Sequence, residues 1–118
     1  ALADGDFEGA ERRARELQRA YPARAELPLI AGRALAAQGR LRAAAESFDR
    51  AVTLDPLSVD AHYHLGMAAV RVGDLARATG AWRTFLRLAP AGDRRSYVEE
   101  AVAALDALKR IIESAPTE

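Results

Sequence analysis

His62 and His64 are the only histidines, and two residues apart on a helix they point to nearly opposite faces. A metal held by one helix needs ligands three or four positions apart, so the pair predicts structural roles and no shared metal. Asp4-Gly5-Asp6 has the opening of a calcium loop, but the alternating ligand series and closing glutamate do not follow. Cysteine is absent, which removes thiolate nucleophiles, disulfides and Cys-based zinc sites. Serines and threonines are few, and none stands in register with a His–Asp pair. The only lysine, Lys109, follows no glycine-rich loop, so no phosphate cradle forms there. Catalytic residues, metals and cofactors are therefore not expected.

The elements that position these residues follow from composition and periodicity. Of 118 residues 28 are alanine, and sixteen of the seventeen basic residues are arginine. Ala, Arg and Leu are strong helix formers, and small side chains require helices to approach closely. The same bias also fits the base composition of a bacterial source. Seventeen basic residues balance seventeen acidic ones. That neutrality disfavours nucleic acid, whose binding needs excess positive charge. No apolar run reaches the ~20 residues that span a bilayer, so membrane insertion is not expected. The opening Ala-Leu-Ala-Asp has neither the basic segment nor the long apolar run of a targeting peptide. Either cytoplasm or periplasm would suit such a chain.

Written in rows of 34 residues, the chain repeats without a gap. Gly5, Gly39 and Gly73 share a column, as do Phe7, Leu41 and Leu75. Ala10, Ala44 and Ala78 follow, then Ala14, Phe48 and Trp82, and Pro22, Pro56 and Pro90 close the rows. Gly39 and Gly73 suit helix C-termini that need positive φ. Pro56 and Pro90 stop helices and push Asp55 and Ala89 out of the α region. Gly32 and Gly66 remove bulk where paired helices cross, and Trp82 falls in the core position shared with Phe48. Ser58 is placed to cap the helix beginning near Val59, and Pro28 fits a first turn. After Pro90, Asp93–Ser114 reads as one longer helix with the apolar stripe Tyr97, Val98, Ala101, Val102, Leu105, Leu108 and Ile112. Ser96 and Glu99 have the spacing of a capping box.

Over residues 5 to 90 this pattern resembles the tetratricopeptide repeat family. Leu65-Gly66, Gly73-Asp74-Leu75, Ala78 and Pro90 occupy its motif positions, and so do Gly32, Gly39, Leu41, Ala44, Phe48, Ala51 and Pro56 in the preceding row. Pro28 and His62 depart from it where a large residue is usual, as does Phe85 where a small one is. The expected fold is all-α: a right-handed α-α superhelix of six helices in a single domain over 1–118. Its parts are a half repeat at 5–22, repeats at 25–58 and 59–92, and a C-terminal capping helix at 93–114. Opening in mid-repeat, the chain reads as a piece of a longer protein.

The resemblance implies that the first helix of each pair lines a concave surface used by peptides or helices of other proteins. Mapped by position, that surface carries Glu26, Leu29, Arg33 and Ala36, then Asp60, Tyr63, Met67, Val70 and Arg71, then Arg94 and Tyr97. Its centre is apolar and its rim is charged with both signs, Arg33 and Arg71 standing opposite Glu26 and Asp60. That balance favours an apolar or mixed peptide. Some family members clamp a C-terminal carboxylate with basic and amide residues. The corresponding positions here are Leu29, Arg33, Tyr63 and Met67, of which one is basic, so that mode is not expected. The leading expectation is a non-enzymatic scaffold that binds another protein. One alternative is self-association through an N-terminal edge where Phe7, Ala10, Ala14 and Leu17 lack a covering helix. A second is a regulatory or targeting segment of a larger enzyme, or of a secretion or assembly component.

Overall fold

The computed structural model describes residues 6–115, so Asp4, Gly5 and the start of the first repeat column lie outside the described residues. Six helices run through it: α1 (Phe7–Ala20), α2 (Glu26–Ala37), α3 (Leu41–Leu54), α4 (Val59–Val72), α5 (Leu75–Leu88) and α6 (Asp93–Ser114). The described residues contain no strand.

Local chemistry sets most of the ends. Asp6, Ser58 and Asp74 each accept a hydrogen bond from the backbone N–H three residues on, at 3.0–3.1 Å. Each satisfies a donor that the first helical turn leaves free. Gly39 and Gly73 turn the chain at φ 77° and 84°, the left-handed region that an L side chain resists. Asp55 and Ala89, each before a proline, leave the α region at ψ 88° and 139°. The start of α6 differs from the capping-box expectation. Its N-cap is Gly92, and Ser96 lies within the helix. No side chain caps the start of α6; instead Arg95 donates its guanidinium to the carbonyls of Leu86 and, at 3.0 Å, Ala89 at the end of α5. It thereby satisfies the open end of α5 and ties α6 to it.

Each helix packs on the next, and α2 also touches α4 across α3. The result is a stack of 51 × 35 × 26 Å with a radius of gyration of 15.6 Å. A compact chain of this length would have about 13.5 Å, so the helices extend along an axis rather than around one centre. The core is correspondingly divided. Leu35, Ala44, Ala45, Phe48, Leu65, Ala68 and Ala81 form one cluster, and Trp82, Phe85, Val98 and Val102 form another. Trp82 and Phe48 are each 1% exposed, as their shared repeat position requires.

Both large rings lie against glycine. A methyl group added at Gly32 would sit 2.7 Å from Phe48 Cδ1, and one at Gly66 would sit 2.6 Å from Trp82 Cε2. Glycine here removes the Cβ so that an aromatic ring can touch the facing helix backbone. The same position one repeat further on is Glu100, which is exposed, so α6 offers no such notch. The α6 stripe is buried only at its start. Val98 and Val102 are covered, whereas Leu108 and Ile112 are 43% and 59% exposed, because the longer helix runs past α5.

Candidate functional site

The resemblance assigns α2, α4 and α6 to the inner side; α2 touches α4 across α3, and the residues expected there are held unequally. Arg33 and Ala36 of α2, Phe48 of α3, and Tyr63, His64, Met67, Ala68 and Arg71 of α4 line one open cavity of about 310 Å³. Helical spacing explains the α4 contribution, because residues three and four apart share a face. Tyr63, His64, Met67, Ala68 and Arg71 make one stripe, with Asp60 a turn earlier.

Aromatic packing fixes the floor. The His64 ring stacks on Phe48 with centroids 5.5 Å apart, and Tyr63 meets His64 edge-on at 5.4 Å. Tyr63 also leans on Phe85 at 5.5 Å, and its carbonyl accepts the Trp82 indole N–H at 3.1 Å. The guanidinium of Arg94, from α6, lies 4.3 Å above the Tyr63 ring and donates to Asp60 at 2.6 Å. Asp60 and Arg94 are one repeat apart, so the same register position carries opposite charges on adjacent inner helices. This contact braces the Tyr63 ring by a cation–π interaction.

Burial first, and then the charges of Arg33 and Arg94, hold the His64 imidazole below its usual pKa, with Asp60 pulling the other way. His62, two residues earlier, has a different task. It is 8% exposed, and its Nε2–H donates to the Pro56 carbonyl at 2.8 Å, pinning the turn before α4. Its Nδ1 is buried without a partner. The two rings thus share no ligand position, and no cluster of three or more metal-ligating side chains occurs among the described residues.

Other expected groove residues do not line this cavity. Leu29 packs against the first core cluster. Glu26 is exposed and pairs with Arg24 at 3.5 Å. Tyr97 meets Trp82 edge-on at 6.0 Å and remains 49% exposed. The expected charge opposition therefore does not form: Asp60 goes to Arg94 and Glu26 to Arg24, and neither Arg33 nor Arg71 has an acidic partner among the described residues. α1 packs on α2 and buries Ala14, leaving Phe7, Ala10, Ile30, Arg33, Ala34 and Ala37 around a separate cavity of about 300 Å³. Sequence reasoning missed His64 as a groove residue. Its signal was available, since it stands four residues after Asp60 and three before Met67.

A stack of antiparallel helices with an amphipathic groove along alternate members belongs to the helical-repeat scaffolds. The chain is a member of the tetratricopeptide repeat family, whose model matches residues 1–59 and again 29–93. No curated protein matches it closely. Among solved structures, the type III secretion translocator chaperone SycD of Yersinia enterocolitica superposes with a TM-score of 0.81 at 18% identity, over 92% of this chain and 78% of that one. PcrH in complex with the chaperone binding region of PopD gives 0.81 at 19% identity, over 92% and 84%. The first tetratricopeptide domain of Spaghetti (RPAP3), bound to an HSP90 peptide, gives 0.81 at 17%, again over 92% and 84%. At these identities the likeness is one of fold. No helix among the described residues is long and apolar enough to cross a membrane.

Proposed function

We propose that this chain is a non-enzymatic scaffold that binds a short segment of another protein in the groove between α2 and α4. The observation carrying this reading is the single cavity in which Tyr63, Met67 and the Phe48–His64 stack form an apolar floor between Arg33 and Arg71. Tyrosine, methionine and arginine are enriched at protein interfaces, and an aromatic held on two sides loses little entropy on binding. The structural neighbours lend support: PcrH holds a region of PopD, and the Spaghetti domain holds an HSP90 peptide. The repeat boundaries at 25–58 and 59–92, with 93–114 as the closing helix, are part of the same reading. Each inner helix then belongs to a separate unit, and the groove lies between units.

Affinity capture from the native organism tests it, with Tyr63→Ala/Met67→Ala as the control bait. Loss of a captured protein in the double variant, with helicity intact by circular dichroism, supports the groove. Equal recovery by both baits refutes it. Self-association is a second reading, favoured by the apolar cavity of Phe7, Ala10 and Ile30 at the N-terminal edge. Light scattering across a concentration series decides it, and a constant monomer mass excludes it.

A further inference from the structure

The charge balance of the groove is more specific than that of the whole chain. Three other cavities provide the comparison. The one lined by Arg42 and Arg77 also contains Glu46 and Asp74. The one lined by Arg12, Arg15 and Arg19 also contains Glu11 and Glu16. In both, arginine has carboxylates beside it. The N-terminal apolar cavity has Arg33 alone. The groove between α2 and α4 has two arginines, Arg33 and Arg71, a histidine between them in sequence, and no carboxylate in its lining. The nearest acid of α4, Asp60, is already held by Arg94 at 2.6 Å.

Two guanidinium groups at the rim of an apolar cleft form a site with positive potential and no internal counter-charge. A carboxylate entering beside an aromatic or aliphatic anchor would gain charge-assisted hydrogen bonds from a planar donor fork. The anchor would meanwhile cover Tyr63, Met67 and the His64 ring. A basic ligand would be repelled, and a purely apolar one would gain nothing from the two exposed guanidinium groups.

Resting on the peptide-binding reading above, we propose that the groove selects segments in which acidic side chains flank an apolar residue. Arg33 and Arg71 hold the carboxylates, and the Tyr63–Met67 floor takes the anchor. Recognition falls on side-chain carboxylates at separate points of the segment, because Arg33 stands on α2 and Arg71 in the last turn of α4. This reverses the expectation drawn from the balance of Arg33 and Arg71 against Glu26 and Asp60. The acidic partners assumed for the two arginines are engaged elsewhere.

The test is selection from a random twelve-residue peptide library fused to a coat protein through the peptide C-terminus, so that no free terminal carboxylate is present. The bait is the wild-type chain, with Arg33→Gln/Arg71→Gln alongside. The expected result is enrichment of Asp and Glu on both sides of a Leu, Ile, Phe or Met. For the double variant, apolar enrichment persists and acidic enrichment disappears. Synthetic versions of the selected peptides, measured by fluorescence anisotropy, should lose about threefold to tenfold in affinity for each arginine replaced. Arg33→Lys and Arg71→Lys should keep part of that affinity, and added salt should weaken the wild-type complex. Apolar peptides without acidic enrichment overturn this inference and leave peptide binding standing. Acidic enrichment that appears only in a second library with free C-termini also overturns it, by moving recognition to the terminal carboxylate. Failure of both libraries to yield binders overturns the peptide-binding reading itself.

Discussion

Gly66→Ala tests the close helix crossing on which the second half of the stack depends. In isolation the change favours a helix by about 1 kcal/mol, since alanine loses less backbone entropy than glycine. Here the added methyl would lie 2.6 Å from Trp82 Cε2, well inside van der Waals contact. The indole cannot yield freely. It is 1% exposed, and its N–H donates to the Tyr63 carbonyl at 3.1 Å. Overpacking of this kind costs about 1–3 kcal/mol, and a displaced indole forfeits a hydrogen bond worth about 0.5–1.5 kcal/mol. Subtracting the propensity gain leaves a net destabilisation of about 0.5–3.5 kcal/mol.

Gly80 supplies the internal control. It sits within α5, and a methyl group there would meet nothing within 4 Å. Gly80→Ala should therefore stabilise by about 1 kcal/mol, the reverse sign for the same chemical change. Urea denaturation followed by far-ultraviolet circular dichroism gives both values, and fluorescence of the single tryptophan reports the packing. A Trp82→Leu background should relieve most of the Gly66→Ala cost, giving a coupling energy beyond the error of additivity. If Gly66→Ala stabilises the chain as much as Gly80→Ala does, the crossing is not close and the reasoning fails.

Trp82→Ala should cost about 3–5 kcal/mol, the range for an aromatic truncated in a packed core, and an unchanged melting temperature would place the ring at the surface. Ser58→Ala removes the acceptor of the Ala61 N–H and should cost about 1 kcal/mol by the same denaturation assay. Because the folded state holds the His64 pKa below 6.5, mainly by burial and then by Arg33 and Arg94 against the opposing charge of Asp60, the unfolded chain binds more protons near that pH. Stability from neutral His64 is thus present above about pH 6.5 and is lost as pH falls through the folded value; His64→Gln should flatten that part of the stability profile.

Much of the stack is legible from spacing because its causes are local. Gly39, Gly73, Pro56 and Pro90 act on the φ, ψ and hydrogen bonds of their own turns, so four helix ends follow from residue type. The Phe48–Gly32 and Trp82–Gly66 pairs also follow, since the repeat sets a large ring against a missing side chain in each unit. The start of α6 escapes that logic. Ser96 and Glu99 have capping spacing, but the helix begins four residues earlier, after Gly92, and Arg95 ties it to the α5 carbonyls, a contact between elements. The exposed end of α6 escapes for a related reason. Periodicity assigns a face to Leu108 and Ile112 but says nothing of whether α5 is long enough to cover them.

The groove shows the same division. The α4 stripe from Asp60 to Arg71 is fixed by 3.6 residues per turn, and the repeat assigns it to the inner side. Which members meet ligand depends on neighbours. Leu29 packs half-buried against the first core cluster, His64 is flattened on Phe48, and Arg94 crosses from α6 to take Asp60. Sequence determines a helical repeat, its register and the aromatic-to-glycine crossings, because these arise from periodicity and backbone sterics close along the chain. Tertiary structure alone decides which charges neutralise one another, because ion pairs form through space between side chains 34 positions apart. Those choices leave Arg33 and Arg71 facing an apolar groove without acids of their own.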